Sequence, residues 1–207
     1  MNELTTRYPK LKSCFSDIET TVNCIIDSYN SGGKLLLCGN GGSCADCEHI
    51  VGELMKGFML KRPLGDRKKQ EMKANCSLLD DGVLDKLQRG LPAIAIPSII
   101  GLNSAFCNDV DSELVYAQPL MSLADKKDVL LCISTSGNSK NCVAAAKVAK
   151  GLGLTVIGLT GETGGNLKSI ADICICVPET ETYKVQELHL PVYHYICAEL
   201  EKHFFEI

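Results

Sequence analysis

Two side chains able to move protons or hold a cation, His49 and Glu53, stand four residues apart in a stretch of helical character. On a helix that spacing places both on one face, one turn apart. It suits two ligands of one metal ion, a metal ligand beside a base, or a plain surface pair, and spacing does not separate these. The other three histidines, His189, His194 and His203, lie near the C-terminal end with Gln186 and Glu187. His189 is one helical turn from Gln186, whereas His194 is two turns on and rotated by ~80° at 100° per residue. Pro191 falls between them, frees the carbonyl of Glu187 and can kink a helix. A carboxylate and an imidazole whose pKa lies near neutrality can pass protons. Which of the C-terminal candidates does so is left open by spacing.

Two turns could hold an anion. The first, Cys38-Gly39-Asn40-Gly41-Gly42-Ser43, runs from a strand candidate into a helix candidate. Its glycines let backbone N–H groups approach an anion, the helix N-terminus adds a favourable dipole, and Ser43 can cap the helix or bind the ligand. It lacks the lysine of a phosphate-binding P-loop and is not a dinucleotide fingerprint. The second, Ser134-Thr135-Ser136-Gly137-Asn138-Ser139, carries four hydroxyls in six residues. Capping needs one such residue, so four point to a phosphomonoester cradle of neutral donors.

Elements that place these residues follow from the apolar runs. Strands are expected at 34–38, 93–97, 129–134, 155–160 and 172–177, all short and rich in Ile, Leu or Val, as in a parallel sheet buried on both faces. Helices are expected at 43–57, 99–108 and 138–150, with long ones near 8–31 and 183–205. This alternation predicts an α/β fold, a three-layer doubly wound parallel sheet of about five strands flanked by helices, in a single domain spanning 1–207. The stretch 60–91 carries Lys61, Arg62, Arg67, Lys68, Lys69 and Lys73, then Asp80, Asp81 and Asp85. It reads as an inserted, solvated connector with one short helix near 82–89, or as a lid or subunit-contact element beside the site.

Composition narrows the partners. With 45% apolar residues, 22% charged residues and a net charge of -4, the chain lacks the dense basic patch that nucleic acid requires. No apolar run approaches ~20 residues and the first residues show no signal pattern, so a soluble cytoplasmic protein is expected. Most of the 12 cysteines sit in apolar runs and read as buried free thiols. Cys44-x-x-Cys47 with His49 has no second pair at finger-like spacing, which disfavours a structural zinc cluster.

GNGGS after a first strand, with STSGNS after a later one, resembles the SIS (sugar isomerase) domain family, from about Gly32 to the C-terminus. Within it, His49 with Glu53, and Gln186-Glu187-Leu188-His189 followed by His194, resemble the phosphoheptose isomerases. The resemblance implies a doubly wound fold of flavodoxin or Rossmann type and a homotetramer with sites shared between subunits. The family pattern of a glutamine and a histidine eight residues apart selects Gln186 and His194. It implies one zinc ion per subunit on His49, Glu53, Gln186 and His194, with Glu53 as base and His194 as acid. Phosphorylated-sugar contacts are implied at Asn40, Gly41, Gly42, Ser43, Ser134, Thr135, Ser136, Ser139 and Gln186, and at the retained Asn108-Asp109 pair. The implied reaction takes sedoheptulose 7-phosphate to D-glycero-D-manno-heptose 7-phosphate through an enediol. Two features depart from the pattern: the long connector, and Tyr183 where an aspartate is common. Isomerases of other sugar phosphates, and non-catalytic sensors or replication-initiator adaptors, share the domain. The latter need not keep the four side chains present here.

Overall fold

The computed structural model describes residues 3–206. Five parallel strands form one sheet: β1 (Leu35–Gly39), β2 (Ala93–Ala95), β3 (Val129–Ser134), β4 (Thr155–Thr160) and β5 (Ile173–Cys176), in the order β2-β1-β3-β4-β5. The central register pairs Leu35 with Val129 through Gly39 with Ile133, and Ser134 with Thr160 on the next strand. Every residue of β1 and β3 is buried, which is why these strands read as unbroken apolar runs.

Period-two alternation sends neighbouring residues of each strand into different layers. Leu35, Leu37, Leu131, Ile133 and Ile157 pack in one core against α2 (Phe15–Asn30), α3 (Gly42–Met55) and α9 (Thr182–Phe205). Leu36, Cys38, Leu130, Cys132 and Val156 pack in the other against α8 (Lys140–Leu152) and the Tyr116–Leu120 region. The three-layer, doubly wound arrangement expected from the sequence is thus present. α9 buries Val185, His189, Val192, Tyr193, Ile196, Cys197 and Leu200, a stripe at helical spacing. It continues through the buried Pro191 without a break.

Several boundaries differ from expectation for local reasons. Pro9 drives Tyr8 out of helical geometry, so the N-terminal helix is divided into α1 (Glu3–Arg7), a 3-10 turn (Pro9–Cys14) and α2. Pro97 has no N–H for the ladder, and β2 ends at Ala95 in a 3-10 turn. The connector holds a ten-residue helix, α4 (Asp66–Asn75), which the charge run concealed, and the expected short helix is only α5 (Asp81–Leu84). α4 buries none of its residues, so it shows no apolar periodicity; good helix formers and Asp66 in its first turn carry it. Ion pairs from Lys69 to Asp85 and Lys73 to Asp81, each 2.6 Å, tie the two together. α6 (Ile100–Asp109) and α7 (Leu120–Leu123) complete the helices among the described residues. None of these is long and apolar enough to cross a membrane.

Candidate active site

The order 2-1-3-4-5 reverses direction between β1 and β3, and both predicted turns leave the carboxyl ends of these two strands, where open α/β sheets bind ligands. Gly41 begins the first turn with φ 54°, a left-handed value that favours glycine, and acts as N-cap of α3. Ser43, read from the sequence as a cap or a ligand donor, does not cap α3 and is buried inside its first turn. Asn40 and Asn141 exchange side-chain amide hydrogen bonds at 2.8 and 2.9 Å, and Tyr116 donates to the Gly39 carbonyl at 2.9 Å. The two turns are therefore braced against one another.

The second turn does not spend its hydroxyls on capping. Ser139 is N-cap of α8, yet its Oγ lies 3.0 Å from that of Ser134 and makes no cap bond. The exposed Ser136 accepts from the Asn138 N–H at 3.2 Å, leaving its own proton to donate outward. Gly137, at φ 66°, leaves no room for a Cβ, which would sit 2.0 Å from the Gly164 carbonyl oxygen. Thr135 accepts the Gly161 N–H at 2.9 Å through its backbone carbonyl, so the β4 turn supports this one from behind.

α3 and α9 carry the rest along a shared seam. Gln186 lies over the start of α3, where a Cβ on Gly42 would meet its Nε2 at 2.5 Å. Further along, the His49 and His194 rings meet edge to face, centroids 5.0 Å apart, with Phe58 beside His194 at 5.6 Å. His49 Nε2 is 3.2 Å from Glu53 Oε1, and Lys56 Nζ is 3.6 Å from Glu53 Oε2. At 1.5 Å per residue, the stretches Gly42–His49 and Gln186–His194 span roughly 10–12 Å along their helices, the reach of a phosphorylated chain of several carbons. Burial, and next His49, push the His194 imidazole below its ordinary pKa, with Glu53 opposing. The net effect favours the neutral imidazole.

The structure brings Asn40–Ser43, Ser134–Ser139 and Gln186 to the switch point, and His49, Glu53 and His194 into one cluster. Asn108 and Asp109 stand apart at the exposed end of α6, hydrogen-bonded to each other at 2.8 Å, and among the described residues no hydrogen bond or ion pair joins them to either turn. Sequence reasoning missed Asp46, Lys56, Phe58 and Tyr193. Asp46 and Lys56 lie three residues from His49 and Glu53, on the face those residues define, so helical spacing could have found them.

His49, Glu53 and His194 offer zinc two imidazoles and a carboxylate, whereas the amide of Gln186 lies over Gly42 at the other end of the seam. Nε2 of His194 is buried without a hydrogen-bond partner, a lone position that a cation or a substrate oxygen would satisfy. Among the described residues, however, no three His, Cys, Asp or Glu side chains stand as a ready-made metal set. Cys47 is fully buried and burial pushes its thiol well up. All 12 cysteines are free; six are buried, four are partly so, and Cys76 and Cys107 are exposed.

A doubly wound sheet with a hydroxyl-rich, glycine-rich crevice at its switch point, and an acid–base cluster beside it, defines a protein that binds phosphorylated small molecules and can move protons on them. The SIS domain model matches residues 2–77 and 89–161, leaving out part of the connector. The chain belongs to the SIS domain family. It is 35% identical to a phosphoheptose isomerase of Roseiflexus over 88% of this chain and 79% of that one. Solved phosphoheptose isomerases from Francisella tularensis and Neisseria gonorrhoeae superpose with TM-scores of 0.78 and 0.76 at 26% and 27% identity. They cover 96% and 95% of this chain, and 92% and 91% of their own.

Proposed function

We propose that this sugar-phosphate isomerase converts sedoheptulose 7-phosphate to D-glycero-D-manno-heptose 7-phosphate. The observation that carries the reading is the seam between α3 and α9, with phosphate-type turns at one end and Glu53, His49 and His194 at the other. The phosphate would sit at the turns, taking hydrogen bonds from Ser43, Thr135, Ser136 and Ser139, which leaves C1 and C2 near the cluster. Glu53 takes the proton from C1 while His194, neutral, gives its N–H proton to the C2 oxygen. The resulting enediol returns its C1 hydroxyl proton to His194, and the carboxyl of Glu53 delivers its proton to C2. Protons balance and both groups end as they began.

Zinc held by His49, Glu53 and His194 would polarise the substrate carbonyl, and Gln186 would have to swing along the seam from Gly42 to join them. A single nitrogen cannot ligate the ion and carry the transferred proton together, so Nε2 of His194 serves one role at a time. Assembly as a homotetramer is the second part of the proposal. α6 buries none of its residues and exposes Ile100 and Leu102, with Val110 exposed just beyond its end, apolar surface that a neighbouring subunit would cover. The Asn108–Asp109 pair at its end would then serve a site shared between subunits. A cytoplasmic location accords with a sugar-phosphate substrate and free thiols. Turnover on a panel of phosphorylated ketoses tests the substrate: the account expects the seven-carbon ester to be preferred, and conversion of shorter esters only would reassign it.

A further inference from the structure

Asp46, His49 and Tyr193 form a chain of polar contacts that the proposed proton transfers do not use. Tyr193 is buried, and its Oη lies 3.2 Å from Asp46 Oδ1 and 3.1 Å from His49 Nδ1. A phenol has one proton to give. A carboxylate has none, so the contact with Asp46 is satisfied only when Tyr193 donates to it. The phenol oxygen then accepts from Nδ1–H of His49. The opposite arrangement would set the lone pairs of Tyr193 and Asp46 against each other.

We infer that Tyr193 and Asp46 are positioning residues that hold His49 with its proton on Nδ1, turning an unprotonated Nε2 toward Glu53. Nε2 and Glu53 Oε1, 3.2 Å apart, are then two acceptors facing one another. Such a pair is completed by something positive between them, and a histidine oriented through its other nitrogen is how metal-binding imidazoles are held. Both ends of the device are built into elements that already carry the site. Asp46 precedes His49 by three residues on α3, and Tyr193 is the neighbour of His194 on α9. Edge-on ring contacts from Tyr193 to His49 and His194, with centroids 5.5 and 5.0 Å apart, fix the same geometry by packing. The inference deepens the proposed site and rests on it for its catalytic meaning, though not for its geometry.

The test is the tautomer of His49, read by long-range 15N–1H correlation on chelator-treated full-length protein labelled in histidine. The spectrum is taken at mildly alkaline pH, with His49 assigned by its loss in H49Q. The expected wild-type signature is Nδ1–H, with Nε2 unprotonated. In D46N the amide can donate to Tyr193, whose proton turns to His49, and the signature should move to Nε2–H. Y193F should give a mixture and a fall in kcat of about 10–100-fold with KM little changed, the loss typical of an orienting partner. An Nε2–H signature in the wild-type protein would overturn the inference, as would unchanged tautomer and unchanged kcat in both variants. If one variant fails to fold, the other and the wild-type spectrum still decide. Because the tautomer is read without substrate, failure to turn over sedoheptulose 7-phosphate would count against the proposed function and not against this relay.

Discussion

At the scale of single residues, Glu53 and the hydroxyl turn bear the weight. Removing the base should cost the ~10²–10⁴-fold that general base catalysis contributes. Glu53→Gln should therefore abolish measurable turnover while the dissociation constant for a non-reacting sugar phosphate stays within error. Near-normal kcat would remove Glu53 from the base role. In the second turn, Ser136 has its proton free for an anion, whereas Ser139 is engaged with Ser134. A hydrogen bond to a charged group is worth about 1.5–3 kcal/mol, so Ser136→Ala should weaken phosphate-ester binding by roughly 10–100-fold in a calorimetric titration. Ser139→Ala should weaken it less, because Ser134 keeps a hydroxyl in place; equal affinity in both variants and the parent would put the phosphate elsewhere. His49 and Glu53 were legible from their spacing, because a helix face is a short-range property. The choice of His194 over His189 was not. Only the packing shows His189 buried against the sheet side and His194 turned toward His49.

At the scale of elements, two buried polar groups set how the site's helices are held. Glu201 of α9 accepts from the backbone N–H groups of Phe58, Met59 and Leu60 and from Arg62 Nε at 2.7 Å, both side chains being out of contact with water. Arg62 in turn donates to the carbonyls of Leu54 and Glu53, pinning the end of the helix that carries the base. Burial acts to raise the Glu201 carboxyl, but the hydrogen bonds from Phe58, Met59, Arg62 and Leu60 outweigh it and the net shift is downward. Breaking one partner of a buried pair costs about 3–5 kcal/mol, so Glu201→Gln should lower the thermal midpoint by several degrees, measured by calorimetry. An unchanged midpoint would show that the pair is not holding the loop.

His189 of α9 supplies a pH dependence. Burial lowers its pKa from 6.5 to about 4; neither ring nitrogen has a hydrogen-bond partner of normal geometry, and the nearby Thr160 backbone does not offset the shift. A depressed histidine pKa means the unfolded chain binds the proton more readily. Its contribution is therefore complete above pH 6.5 and is lost as the pH falls toward 4, amounting to about 3 kcal/mol. Urea unfolding from pH 7 to 4 should show that decline, and His189→Leu should flatten part of it; parallel slopes would remove His189 as the cause. The strands and main helices were legible because buried parallel strands are continuous apolar runs. α4 was not, since an exposed helix leaves no apolar stripe to read.

At the scale of the whole molecule, the strand order could not be read from a sequence that shows strands but not their neighbours. Once the order is known, the two turns fall together at one crevice, and Asn108–Asp109 falls at the end of a helix that buries none of its residues. The proposed zinc belongs to this scale as well, because the residues that would hold it come from α3 and α9 together. Chelation should lower kcat by at least ~10-fold and added zinc should restore it, as loss of a Lewis acid worth several kcal/mol requires. Full activity after chelation would leave Nε2 of His194 to proton transfer alone.

The central claim is aldose–ketose isomerisation through an enediol with Glu53 as base. Incubation with sedoheptulose 7-phosphate in deuterium oxide, followed by NMR, tests it most directly. The account predicts an aldoheptose 7-phosphate formed by the wild-type protein and not by Glu53→Gln, with deuterium at C2 in the fraction of turnovers in which the Glu53 carboxyl exchanges its proton with solvent before delivering it. An aldose formed equally by both proteins, or no aldose at all from zinc-supplied enzyme that binds the ketose, would contradict it.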